Sequence, residues 1–94
     1  MSIKGFGDAA TERFFISGNC PAQWRRFESV AARKLDMLDA THALADLRSP
    51  PGNRLEALKG DRRGQHSIRI NDQWRVCFRW TDEGAIDVEI VDYH

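Results

Sequence analysis

The sequence predicts an α+β fold in which N-terminal helices pack on one face of a small antiparallel sheet built by the C-terminal half. Three observations carry this expectation. Apolar residues recur at three-and-four spacing as far as Leu38, the stretch Ser49-Pro50-Pro51-Gly52-Asn53 interrupts the chain, and from Ile68 onward apolar and polar residues alternate. With 94 residues, the whole chain, 1–94, is expected to form one domain just large enough to close a core.

Ile3 to Phe6 reads as a short extended segment. Asp8 stands where a side chain caps the first free amides of a helix through Ala9, Glu12, Phe14 and Ile16, which Gly18 and Asn19 end. Pro21 opens a second helix of about five turns. Its buried stripe is Trp24, Phe27, Ala31, Leu35 and Leu38, and its polar back carries Arg26, Ser29, Arg33 and Asp36. Thr41 is the expected cap of a third, short helical segment reaching Leu47.

Paired prolines argue against helix or central strand at 49–53, and Lys59-Gly60-Asp61-Arg62-Arg63-Gly64 reads as a glycine-punctuated loop. Strands follow. Ile68 and Ile70 alternate with Ser67 and Arg69, and Trp74, Val76, Phe78 and Trp80 alternate with Arg75, Cys77 and Arg79. In a last strand Ile86, Val88 and Ile90 alternate with Asp87, Glu89 and Val91, while Asn71-Asp72-Gln73 and Thr81 to Gly84 are the turns. If the tryptophan-bearing face meets the helices, Arg69, Arg75 and Arg79 share the opposite, uncovered face. Two outcomes stay open there. The arginines either pair across strands with Asp87 and Glu89, at ~0.2 to 1 kcal/mol a pair and without function, or they bind an anion.

The formal charge is zero, with 14 basic and 14 acidic residues, which taken alone argues against nucleic-acid binding. Position reverses that inference. Residues 1 to 47 hold six cations and six anions, residues 48 to 80 hold eight cations against three anions, and residues 81 to 94 hold five anions and no lysine or arginine. A polyanion responds to the local field, and seven of the eight cations in the basic stretch are arginines, suited to bidentate phosphate contacts and base stacking.

Cys20 and Cys77 are far apart in sequence and form no CxxC, so neither a disulfide framework nor a cysteine-built zinc site is indicated. A zinc site from His66, Cys77 and His94 fits no standard ligand spacing, and Cys77 has no recognisable histidine base. No metal or other cofactor is expected. The N-terminus lacks the apolar core of a secretion signal and no run approaches the ~20 apolar residues of a membrane span, so a soluble cytoplasmic protein is expected.

Three stretches then stand out together: Leu47 to Leu58 (LRSPPGNRLEAL), Gly64 to Phe78 (GQHSIRINDQWRVCF), and the terminal Asp92-Tyr93-His94. In these the chain resembles the HigB-type toxins of the RelE superfamily, most closely their GraT branch, over nearly its whole length and most strongly from Leu47 to His94. The resemblance implies a bacterial type II toxin-antitoxin system and a compact RelE-like α+β domain with a twisted sheet. It implies an endoribonuclease that cleaves mRNA in the ribosomal A site, neutralised by a HigA-type helix-turn-helix antitoxin. Operator DNA would be met only through that antitoxin, and no membrane is involved.

Carried over by position, the resemblance implies that Arg75 binds the scissile phosphate and His94 transfers protons. Tyr93 stacks on a base or orients the RNA, Asp92 is the acidic member of the same terminus, and Lys59 faces the RNA backbone. Arg54, Arg62, Arg63, Arg69, Arg79 and His66 complete the expected RNA-binding set, His66 as a turn stabiliser or groove edge. One departure is clear. Some members carry a second histidine three residues before the lysine, where this chain has Glu56, so a paired-histidine mechanism is not expected. The implied chemistry is metal-independent attack of a ribose 2′-hydroxyl on the adjacent phosphate, leaving a cyclic phosphate and a free 5′-hydroxyl. A non-catalytic module that binds an antitoxin and tunes its autoregulation is the alternative.

Overall fold

The computed structural model describes residues 1–93. α1 (Ala9–Ser17) starts as expected: Asp8 is extended, and its carboxylate accepts the Thr11 amide at 2.8 Å. Gly18 closes the helix at φ 76°, a left-handed conformation that glycine adopts without a Cβ penalty.

The expected second helix is two pieces. A 3₁₀ helix, Ala22–Phe27, leads into α2 (Glu28–Ala40), and Phe27 at φ −123°, ψ 22° breaks the helical path between them. The apolar stripe survives the break, for Trp24, Phe27, Ala31, Leu35 and Leu38 are all buried. Thr41 ends α2 instead of starting the next segment: its hydroxyl donates back to the Met37 carbonyl at 2.8 Å, as threonine does at a helix end. The third segment is a 3₁₀ helix, Leu44–Arg48. Pro51–Asn53 also forms a 3₁₀ turn, against expectation, because Pro51 occupies a first helical position where no amide donor is needed.

The sheet has four antiparallel strands in the order β1 (Glu56–Ala57), β2 (His66–Arg69), β3 (Trp74–Thr81), β4 (Gly84–Asp92). At the β2–β3 turn, the Asn71 side-chain oxygen accepts the Gln73 and Trp74 amides, both at 2.8 Å. The N-terminal segment lies along β4, with Ile3 bridging Ala85 and Phe6 bridging Val88 in parallel.

β4 departs from simple alternation. Cys77 pairs with Glu89 but Arg79 pairs with Ile86, so β4 carries one extra residue, and Asp87 sits at φ 53°. As a result Ala85, rather than Ile86, is buried in line with Val88 and Ile90. The core lies between the helices and one sheet face: Phe14, Trp24, Leu35 and Leu38 meet Ile68, Val76, Phe78 and Val88. This is the α+β layout that the two periodicities predict. Among the described residues, no helix is long and apolar enough to cross a membrane.

Candidate active site

The sheet face away from the helices is organised around Arg75 in β3. Its guanidinium donates from Nη1 to the Ser67 hydroxyl at 3.0 Å and to the Arg54 carbonyl at 3.4 Å, and it pairs with Glu56 at 3.6 Å. The Tyr93 ring stacks against it, 5.6 Å from Cζ to the ring centroid. Only 15 % of the Arg75 side chain is exposed, so its direction is set by three different segments of chain. Ser67 is the residue in β2 cross-strand from Cys77, wholly buried beneath this cluster.

The face is not bare, as strand alternation alone suggests. The 3₁₀ turn Gly60–Arg62 folds toward it, and Arg62 reaches both Gln65 at 3.0 Å and Glu89 at 2.8 Å. Cys77 is wholly buried below, and burial pushes its thiol up to about 11, which rules out a nucleophilic thiolate near neutral pH. The hydrogen bond to Glu89 holds Arg62 firmly as a cation, against a smaller opposing effect of burial.

The other sequence-predicted residues are distributed as follows. Arg79 pairs with Asp87 at 3.4 Å, and its guanidinium approaches the Arg63 carbonyl at 3.5 Å. Arg69 pairs with Asp72 beside the β2–β3 turn. Lys59 is exposed at the start of the 60–62 turn, and Asp92 accepts from the Gln73 amide at 3.0 Å. His66 is turned away from Arg75. Its ring stacks on the core residue Phe78, with centroids 6.3 Å apart, and its Nδ1 is buried without a hydrogen-bond partner among the described residues. His94 lies outside the described residues.

The ion-pairing outcome left open by the alternation is the one observed. Asp87 and Glu89 do take arginine partners, but Glu89 takes Arg62 from the loop instead of an arginine on a strand. Two groups escaped the sequence reading. Glu56 registers there only as a missing histidine, yet its carboxylate stands beside Arg75; Ser67 reads as one more polar alternation. The register Arg69↔Arg75 and Ser67↔Cys77, which brings Ser67 within reach of Arg75, requires knowing the β2–β3 turn length. No group of three or more acidic, histidine or cysteine side chains among the described residues is placed to hold a metal ion.

The sequence profile of HigB-like toxins, the RelE-like toxins of the type II toxin-antitoxin system HigB, matches residues 4–94. The chain belongs to that family. This HigB-like protein is 50 % identical over 60 residues to Toxin HigB-1 of Vibrio cholerae, covering 64 % of this chain and 63 % of that protein. It is 39 % identical over 41 residues to the Endoribonuclease HigB of Proteus vulgaris, covering 44 % and 45 % of the two chains. Each of these matches spans less than two thirds of the relative's length. Two solved structures share the fold: the YoeB dimer from Staphylococcus aureus, with TM-score 0.59, 20 % identity and 100 % and 97 % of the chains covered, and the YoeB/ParE toxin from Agrobacterium tumefaciens, with TM-score 0.52, 21 % identity and 100 % and 99 % covered.

Proposed function

We propose that this HigB-like toxin is an mRNA endoribonuclease that acts in the ribosomal A site and is neutralised by a HigA-type antitoxin. The observation that carries this reading is the clamped guanidinium of Arg75, with a carboxylate on one side and a tyrosine ring against it. A phosphate diester placed on Arg75 exchanges the Glu56 contact for a bidentate one, and Tyr93 stacks on a neighbouring base.

Glu56, displaced from its ion pair but still next to the phosphate, accepts the proton of the attacking ribose 2′-hydroxyl. The new oxygen–phosphorus bond closes a cyclic phosphate, and the bond to the 5′-oxygen breaks. His94 returns a proton to that leaving oxygen. Arg75 and Lys59 stabilise charge on the nonbridging oxygens, which is the step a metal would otherwise serve. Proton transfer contributes ~100 to 10,000-fold in such sites, and alignment of the 2′-hydroxyl contributes more. Alignment is the share assigned to the ribosome, which holds the message while Arg75 holds the phosphate.

The support from relatives is that the Proteus vulgaris protein is named an endoribonuclease, together with the toxin-antitoxin setting of the family. Mapping 5′ ends on translated messages tests the reading: wild-type protein should create new ends in phase with codons, and Arg75→Ala should remove them. If Arg75→Ala and a variant lacking His94 arrest growth as strongly as wild type while still binding the antitoxin, these residues do not carry nuclease activity. If wild-type protein creates no new codon-phased ends, the antitoxin-binding module becomes the better reading.

A further inference from the structure

Lys34 is anomalous for a helix residue on the core side. It lies on the buried face of α2 with Ala31, Leu35 and Leu38, is only 8 % exposed, and has no carboxylate partner among the described residues. Taking an ammonium out of water is costly unless its protons are used. The one hydrogen bond that Lys34 is seen to make runs from Nζ to the Asn53 side-chain oxygen, at 2.5 Å. Burial, with Arg33 and Arg69 nearby, lowers the pKa of this ammonium.

Asn53 is wholly buried and uses both ends of its amide. Its Nδ2 donates to the Leu47 carbonyl at 3.1 Å and the Ser49 carbonyl at 3.4 Å, so it ties the proline loop to itself while Lys34 ties it to α2. The next residue, Arg54, is left-handed at φ 46°, ψ 53°, and the chain turns there toward Arg75. The Arg54 carbonyl accepts from Arg75, and Glu56 two residues later pairs with it. If filling the core were the only requirement, methionine at 34 and an apolar residue at 53 would meet it without burying a charge.

We propose that Lys34 and Asn53 are positioning residues, a buried ammonium–amide latch that sets the path of residues 53–56 and thereby aims the Arg75 guanidinium. The latch touches no substrate; it acts through Arg54 and Glu56. Its consequence for cleavage rests on the nuclease reading above, but its consequence for Arg75 does not.

The test uses the full chain carrying Lys34→Met or Lys34→Gln, the glutamine ending about one bond short of the ammonium position. Folding is followed by circular dichroism, rotation of the Arg75 guanidinium by nitrogen–proton NMR, and cleavage by single-turnover and steady-state assays on programmed ribosomes. The expected result is a folded variant in which Arg75 Nη rotation quickens about tenfold and kcat falls roughly 10- to 100-fold with little change in KM, the signature of misaim and not of lost binding. Lys34→Arg, which keeps a charged donor, should restore both readouts in part. Wild-type rotation and kcat in a folded Met or Gln variant overturn the proposal, and so does failure of both variants to fold, which makes the pair a core stabiliser. If the wild-type protein itself does not cleave, the nuclease reading fails while the NMR comparison still decides the latch.

Discussion

At the scale of single residues, the Arg75 face is distinguished by what lies under it. Cys77 sits below Arg62 and Arg75 with no exposed surface, and burial raises its thiol to about 11 from the ordinary 9.0. A thiol whose folded pKa is raised keeps its proton where the unfolded chain has lost it. Stability is therefore unaffected below the unfolded value and falls as pH rises through the interval from 9.0 to about 11, by ~2 to 3 kcal/mol in all. Denaturation midpoints of wild type and Cys77→Ala across that interval should converge, because only wild type carries this loss; parallel curves would place the thiol in a wetter setting. The family resemblance singles out Arg75, Tyr93 and Lys59, and of these the structure brings Tyr93 against Arg75. Ser67 and Glu56 were not legible in the sequence, since each becomes an Arg75 partner only through cross-strand register and the turn at 51–53.

At the scale of elements, the helix stripe and the strand alternation of β3 were legible because burial enforces period, and the stripe holds across a 3₁₀–α junction that propensity does not announce. The bulge in β4 was not legible. Asp87–Val88–Glu89 alternates correctly by itself, and the extra residue shows only when β3 is laid beside it. The bulge matters for the site because it places the Asp87 carboxylate against Arg79. Next to it, Gly84 opens β4 at φ 134°, and a Cβ there would stand 2.1 Å from the Ser2 carbonyl oxygen. That carbonyl accepts the Ala85 amide at 2.7 Å, and the Lys4 amide returns a bond to Ala85 at 2.7 Å, so the N-terminal segment is sewn to β4 at this point. Gly84→Ala should cost at least ~2 kcal/mol, from backbone strain plus displaced hydrogen bonds. Amide exchange at Lys4 and Ala85 should quicken together; slow exchange at both in the variant would mean that the segment shifts without detaching.

At the scale of the whole molecule, a zero net charge does not mean an indifferent surface, because three arginines of the proposed RNA face, Arg62, Arg75 and Arg79, already have carboxylate partners. Arg62 with Glu89, Arg75 with Glu56 and Arg79 with Asp87 hold cations where a phosphate would go, so free RNA must displace carboxylates before it gains contacts. The ion pairs therefore predict weak binding of free RNA, beyond any effect of the net charge. Glu89→Gln isolates the effect, since Glu89 is the tightest of these three partners at 2.8 Å and stands apart from the Arg75 clamp. Binding of a short single-stranded RNA, followed by anisotropy across a salt series, should tighten in this variant. The slope of log K against log salt should steepen by roughly 0.7, the value of one additional phosphate contact on a single strand. Adding Arg62→Ala to Glu89→Gln should return both affinity and slope to near the wild-type values, because the freed guanidinium is then gone. If Glu89→Gln tightens binding with no change of slope, the gain comes from reduced repulsion, and Arg62 is not part of the surface that RNA meets.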